Sequence, residues 1–150
     1  MTVVKTKQVK RFWRRGIFKD RKLHSEYYNL YQSLRDLDRE FHYRYLRMSK
    51  ERFDHLLGLL RDKIAKKDTN MREAITAEER LVITLRYLSA GMSQQDLCYN
   101  FRVGRTTVSN ILKEVCSTIF DVLSAIDMTP PSTENDFHSR TLEKFLRRIA

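Results

Sequence analysis

Residues 93–112 read SQQDLCYNFRVGRTTVSNIL. Ser93 is a favourable N-cap for a short helix that extends to about Phe101. After a short break, a longer amphipathic helix begins near Arg105. Two helices joined by a turn of three or four residues form the helix-turn-helix motif, whose second helix enters the major groove of DNA. The sequence therefore predicts a helix-turn-helix at about residues 93–127.

The second helix of this motif has an apolar side and a polar side. Val108, Ile111 and Leu112 recur at helical spacing, so they hold the helix against a core. On the polar side, Arg suits guanine, Asn suits adenine, and Thr or Ser suits either a base or a phosphate. We predict DNA contacts from eight residues of the motif: Gln94, Arg102, Arg105, Thr106, Thr107, Ser109, Asn110 and Lys113.

The turn departs from the usual form of the motif. Arg102 stands where Gly is most common, and Gly104 stands at the N-cap of the second helix, where Ser is common. An ordinary helical hairpin with a solvated polar face would show the same periodicity. The Thr-Thr-Val-Ser string from Thr106 and the charge of the chain favour DNA binding over this alternative.

Positive charge is concentrated at the N terminus. The whole chain carries a formal net charge of +10, and its first 22 residues hold nine cations and one acid. Such a segment suits a polyanion, because each neutralised phosphate releases counterions. We predict a flexible basic arm at residues 1–22 whose contacts come from Lys10, Arg11, Arg14, Arg15, Lys19, Arg21 and Lys22. A solubilising or nuclear-import tail and an acidic lipid surface are the alternatives.

The remaining sequence predicts an all-α helical bundle. Four Gly and two Pro leave too few turns for a fold of many short strands. Ser49 and Thr76 are N-caps for two amphipathic helices, which end at about Ile64 and at Gly91. The first predicted helix has its apolar face formed by Tyr27, Leu30, Tyr31, Leu34 and Leu37.

These signals divide the chain into three parts. The basic arm is followed by a helical DNA-binding domain at residues 23–128. Its last helix carries an apolar side that reaches Ile126, and Pro130 and Pro131 end it. Residues 129–150 then form a link and a weak C-terminal helix.

Several function classes find no support in the sequence. The four His are scattered, and Glu114, Asp121 and Asp127 lie at offsets that do not gather three carboxylates, so no metal site or nuclease centre is predicted. Cys98 and Cys116 are expected to be core thiols in a reducing compartment. We expect no cofactor, no small-molecule substrate, no membrane span and no secretory signal.

Six short motifs resemble, in the same order, the N-terminal half of Harbinger-type transposases and the nucleases derived from them. The likeness extends from about Lys10 to Phe137. The motifs are RFW from Arg11, EYYNL from Glu26, YLRMS from Tyr45 with FDHLL from Phe53, ITAEERL from Ile75, LRYLSAG from Leu85, and FRVGRTTVS from Phe101.

This resemblance implies a helical DNA-binding domain followed by an RNase H-like nuclease domain whose Asp and Glu residues hold divalent metal. The likeness ends before that nuclease domain, and Asp127 is followed by Met128 where the family has Gly, so catalysis is not carried over to it. We therefore expect a protein that binds duplex DNA without cleaving it and is located in the nucleus, with the cytoplasm as an alternative. The alternatives are a module that docks a Myb-like partner through the Phe53–Ile64 helix or the arm, a domain that serves a nuclease subunit in trans, and a fragment of a longer nuclease.

Overall fold

The structure, a computed structural model, describes residues 16–70 and 73–127. Over these residues the fold is all-α. A 3-10 turn at Gly16–Phe18 and a π-helical turn at Tyr27–Tyr31 accompany the α-helices. The α-helices are α1 (Arg21–His24), α2 (Gln32–Leu37), α3 (Arg39–Leu46), α4 (Lys50–Ile64), α5 (Ala77–Ala90), α6 (Gln94–Phe101) and α7 (Arg105–Asp127).

The predicted helix boundaries are confirmed where a local capping signal sets them. The Ser49 hydroxyl accepts a hydrogen bond from the Arg52 amide, and the Thr76 hydroxyl accepts one from the Glu79 amide. Gly91 ends α5 with a φ of 62°, the left-handed conformation that favours glycine. Helices α4 and α5 therefore begin where a neighbouring side chain satisfies a free backbone amide.

Helix α5 lies at the centre of the bundle. Every side chain from Glu79 to Leu85 is buried, because α3, α4, α6 and α7 all pack against this helix. Helix α4 contributes an apolar stripe that includes Phe53 and Leu60, both fully buried. Because this part of α5 is buried on several sides, its polar residues Glu79, Arg80 and Thr84 are buried together with its apolar ones.

The N-terminal helices form a layer over this core, and here one prediction is wrong. Tyr27 and Tyr31 are buried, but Leu30 is 42% exposed and Leu37 is 86% exposed. The five-residue π-helical turn explains the difference, because its wider spacing changes the direction of the side chains that follow it. A periodicity of 3.6 therefore does not describe this segment.

The predicted burial of the two cysteines and of the apolar side of α7 is confirmed only in part. Cys98 is buried as predicted, but Cys116 is only partly so. Ile126, placed on the apolar side of α7, is 55% exposed, because that side is buried only as far as Val115. The predicted link and C-terminal helix at residues 129–150 lie outside the described residues, as do Pro130 and Pro131.

Candidate nucleic-acid interface

The connection between α6 and α7 is fixed by local contacts. The Asp96 amide donates to the Ser93 hydroxyl at 3.1 Å and begins α6. Arg102 adopts the left-handed conformation, with a φ of 53°, and the Val103 amide then donates to the Cys98 carbonyl at 3.2 Å. Val103 is buried beneath the turn. Arg102 thus provides the backbone geometry for which Gly is the usual choice.

Helix α7 exposes one polar face at its N-terminal end. Because an α-helix turns 100° per residue, the polar residues of this end lie within an arc of about 200°, with Thr107 at its edge. The buried side chains of this end, Val108, Ile111, Leu112 and Val115, lie on the opposite side. The polar face comprises Arg105, Thr106, Asn110 and Lys113, all exposed, together with Thr107 and Ser109, which are partly exposed.

The cations of this face are not used in ion pairs with other parts of the bundle. Across residues 16–70 and 73–127, neither Arg105 nor Lys113 forms a salt bridge. The neighbouring acid, Glu114, lies 2.5 Å from both Lys66 and Arg80. Burial opposes the ionisation of Glu114, but these two cations outweigh it and lower its pKa. Its charge is therefore compensated by other helices.

The turn also contacts the end of the basic N-terminal segment. The Arg102 guanidinium donates from Nη1 to the carbonyl of Ile17 at 3.4 Å. Ile17 is two residues after Arg15, which lies outside the described residues, and Lys19, two residues further on, is exposed. The structure therefore places the 3-10 turn at Gly16–Phe18 next to the turn that precedes α7.

Two residues assigned to the arm have a different position from the one predicted. Arg21 is buried and lies 3.3 Å from Glu79, and Lys22 lies 2.8 Å from Glu73. A buried carboxylate is costly without a nearby cation, so Arg21 serves the core. The arm boundary predicted at residue 22 is therefore wrong, because the folded part includes residues from Gly16 onwards. The predicted contacts Lys10, Arg11, Arg14 and Arg15 lie outside the described residues.

The remaining predicted contact, Gln94, is the first residue of α6 and is partly exposed. Sequence reasoning missed the contact between Ile17 and Arg102, which are 85 residues apart. No local pattern could have indicated it.

Docking of a partner through the Phe53–Ile64 helix stays a prediction, but the apolar side chains of that helix, which is most of α4, are not available for it. Phe53, Leu56, Leu57, Leu60 and Ile64 are all buried inside the bundle. A face that already forms the core of its own domain has no free apolar area to offer a second protein. What α4 presents to solvent is its charged side.

The described part of the chain contains neither a membrane-spanning helix nor a metal-binding cluster. None of its helices combines the length and the apolar character that crossing a membrane requires. Within residues 16–70 and 73–127, His, Cys, Asp and Glu side chains do not gather in groups of three that could hold a metal ion.

The chain belongs to a family described as a domain of unknown function, DUF8040, whose model matches residues 28–121. This match covers more than half of the chain and includes the helices from α2 to α6 and most of α7. Comparisons with curated proteins and with solved structures give no match.

Proposed function

We propose that this protein is the DNA-binding module of a transposase-derived protein. It binds duplex DNA through the polar face of α7 and through the basic N-terminal segment, and it acts in the nucleus. The observation that carries the proposal is the hydrogen bond from Arg102 to the carbonyl of Ile17, because it links the turn before α7 to a residue that follows the basic N-terminal segment in the sequence.

The chemistry of the two features is complementary. A cationic segment supplies affinity that is independent of sequence and sensitive to salt, because phosphate contacts release counterions. The face of α7 offers Arg105 and Asn110, whose side chains can form paired hydrogen bonds with guanine and adenine edges. Thr106 and Thr107 suit phosphate oxygens next to the groove. One interface would thus combine positioning contacts with base contacts.

The order of the six motifs supports a transposase-derived origin, since the likeness extends along most of the chain. It covers the DNA-binding half of that family and not the nuclease half. Binding without cleavage is therefore the proposed function of these 150 residues.

The test is a fluorescence-anisotropy titration with labelled duplexes. A preferred site is first selected from a random duplex library with the wild-type chain. Affinity for that site and for an unrelated duplex is then measured at about 50 and 200 mM salt. We expect Arg105→Ala combined with Asn110→Ala to remove the preference for the selected site while weak, salt-sensitive binding remains.

Arg61→Ala is the matched control, because Arg61 is an exposed cation that belongs to α4 and not to the polar face of α7. It should leave both affinities within about twofold of the wild-type values. If the double variant kept the full preference for the selected site, or if the wild-type chain selected no site, the assignment of α7 as the reading helix would be wrong.

A further inference from the structure

A cavity of about 380 Å³ lies where α3 ends and α4 begins. Its volume falls near the lower end of the range for small-molecule sites, about 300–1,000 Å³. Its lining contains two cations and an aromatic ring but no carboxylate. The lining residues are Tyr43, Arg47, Met48, Ser49 and Arg52.

Both arginines of this cavity are available to bind an anion. Within the part of the chain that the structure describes, neither Arg47 nor Arg52 forms a salt bridge. Glu51 and Asp54, the acids that flank Arg52 in the sequence, pair instead with arginines of α3 and α2. The positive charge of the cavity is therefore not compensated by the acids nearest to it in the sequence.

Arg47 has an unusual backbone conformation for its residue type. It ends α3 with a φ of 55°, the left-handed conformation that strains a residue with a Cβ atom. Its amide donates to the carbonyl of Tyr43, which fixes the residue at the helix end. Strained residues of this kind cluster at ligand and active sites. Glycine would relieve the strain, but it would take the guanidinium out of the cavity.

The remaining polar groups of the cavity suit one particular anion. Arginine binds phosphate through paired hydrogen bonds, and an unstacked nucleobase stacks on an aromatic ring. The ring of Tyr43 is 52% exposed and lies one helical turn before Arg47. The Ser49 hydroxyl accepts from the Arg52 amide, and its own proton can be donated to a phosphate oxygen.

We propose that this cavity binds a single nucleotide, with the phosphate held by Arg47 and Arg52 and the base stacked on Tyr43. The cavity takes no residue from the polar face of α7, so it is a second site beside the proposed duplex interface. The bases of a duplex are already paired and stacked. The occupant is therefore a free nucleotide or an unpaired nucleotide at the end of a single strand.

The experiment is calorimetric titration of the full chain at about 50 mM salt, because contacts with phosphate weaken as salt increases. The probes are adenosine monophosphate, adenosine and inorganic phosphate. We expect adenosine monophosphate to bind about tenfold more tightly than either of the others, since each of these lacks one of the two contacting groups.

Arg47→Gln combined with Arg52→Gln should weaken the binding of adenosine monophosphate about tenfold or more. Glutamine keeps a long polar side chain and a good helix former at both positions, so the fold is preserved. Arg61→Gln is the matched control, because it makes the same change at an exposed cation of α4 that does not line the cavity. It should leave the affinity within about twofold of the wild-type value.

Tyr43→Leu tests the base contact separately. It should reduce the affinity for adenosine monophosphate to that for inorganic phosphate and leave the latter unchanged, because only the stacking surface is lost. Unchanged affinity for adenosine monophosphate in the double arginine variant, or no saturable binding up to about 10 mM, would overturn the proposal.

Competition experiments distinguish the sources of the nucleotide. Displacement of thymidine monophosphate by a short single-stranded oligothymidylate at lower concentrations would identify the end of a single strand, and the reverse order would identify the free nucleotide. Tighter binding of phenyl phosphate than of adenosine monophosphate would overturn the proposal in favour of a phosphotyrosine peptide. Displacement by blunt duplex DNA that depends on Arg47 and Arg52 would overturn it in favour of a backbone phosphate contact.

Discussion

The guanidinium of Arg21 lies 3.3 Å from the carboxylate of Glu79, and both side chains are almost completely buried. This pair attaches α1, and with it the end of the basic segment, to the central helix α5. Burial raises the pKa of Glu79 to about 7, with Arg21 acting in the opposite direction and Glu73 in the same one. The attachment therefore contains a carboxyl group that titrates near neutral pH.

We predict that Glu79 makes the stability of the bundle depend on pH. The folded chain keeps a proton on Glu79 up to about pH 7, whereas the unfolded chain releases it near the ordinary pKa of 4.5. Between these values the folded state binds more protons, so the contribution of Glu79 to the free energy of unfolding falls as the pH rises. Glu79→Gln should remove that fall, as measured by urea unfolding from pH 4.5 to 8.

Asp62→Asn serves as the control for this measurement, because Asp62 is an exposed carboxylate on α4. It should reproduce the pH dependence of the wild-type chain. If Glu79→Gln also reproduced it, Glu79 would not be the group that titrates.

His42 should also make the stability of the bundle depend on pH, but in the opposite direction from Glu79 and at lower pH. Its ring is fully buried, with its centroid 5.7 Å from that of Tyr31 and 6.1 Å from that of Phe53. Burial, followed by the charges of Arg35 and Lys50, lowers its pKa below 6.5. The unfolded chain then binds a proton first, so stability is lost as the pH falls below 6.5.

His42→Phe should remove this loss, because the new ring stays neutral. The measurement is the difference in Tm between pH 7.5 and pH 5, which should shift in favour of stability at pH 5 in the variant. An unchanged difference in Tm would show that His42 does not take part in the acid response.

Arg102→Gly should stabilise the bundle and weaken DNA binding at the same time. The left-handed conformation of Arg102 strains a residue with a Cβ atom, and Gly relieves that strain by about 1 kcal/mol. The guanidinium lost from the proposed interface should reduce affinity severalfold. Urea unfolding and anisotropy titration measure the two effects separately.

Arg47→Gly is a closely matched control for that variant. Arg47 has a φ of 55° after α3, almost the same as the 53° of Arg102, but it lies at a different helix end. We expect the same gain in stability with unchanged affinity for DNA. An equal loss of affinity in both variants would mean that the Arg102 guanidinium does not contact DNA at this interface.

Deletion of residues 2–15 should weaken binding to all duplexes alike and reduce its salt dependence, because it removes six cations. Arg105→Ala should instead cost about 1–3 kcal/mol on the preferred site alone. The deletion stops at Arg15 because Arg21 pairs with Glu79 in the core. Anisotropy titration distinguishes a loss of affinity on all duplexes from a loss on the preferred site alone. Equal losses of affinity on every duplex for both changes would exclude base reading by Arg105.

The sequence by itself determined where most helices begin and end. Ser49, Thr76 and Ser93 are caps whose hydrogen bonds form within three residues, and Gly91 ends α5 through its own backbone conformation. Such signals involve only neighbours in the chain, so they can be read before the fold is known. The buried side of α7 as far as Val115 follows from local periodicity in the same way.

Which charges remain available at the surface depends on how the helices pack. Arg21 belongs to the basic run by its sequence, yet it is buried against Glu79, and Arg102 reaches the carbonyl of Ile17 from far along the chain. Contacts between distant residues depend on how whole helices pack, and that packing is set by the summed burial of many side chains rather than by any short segment.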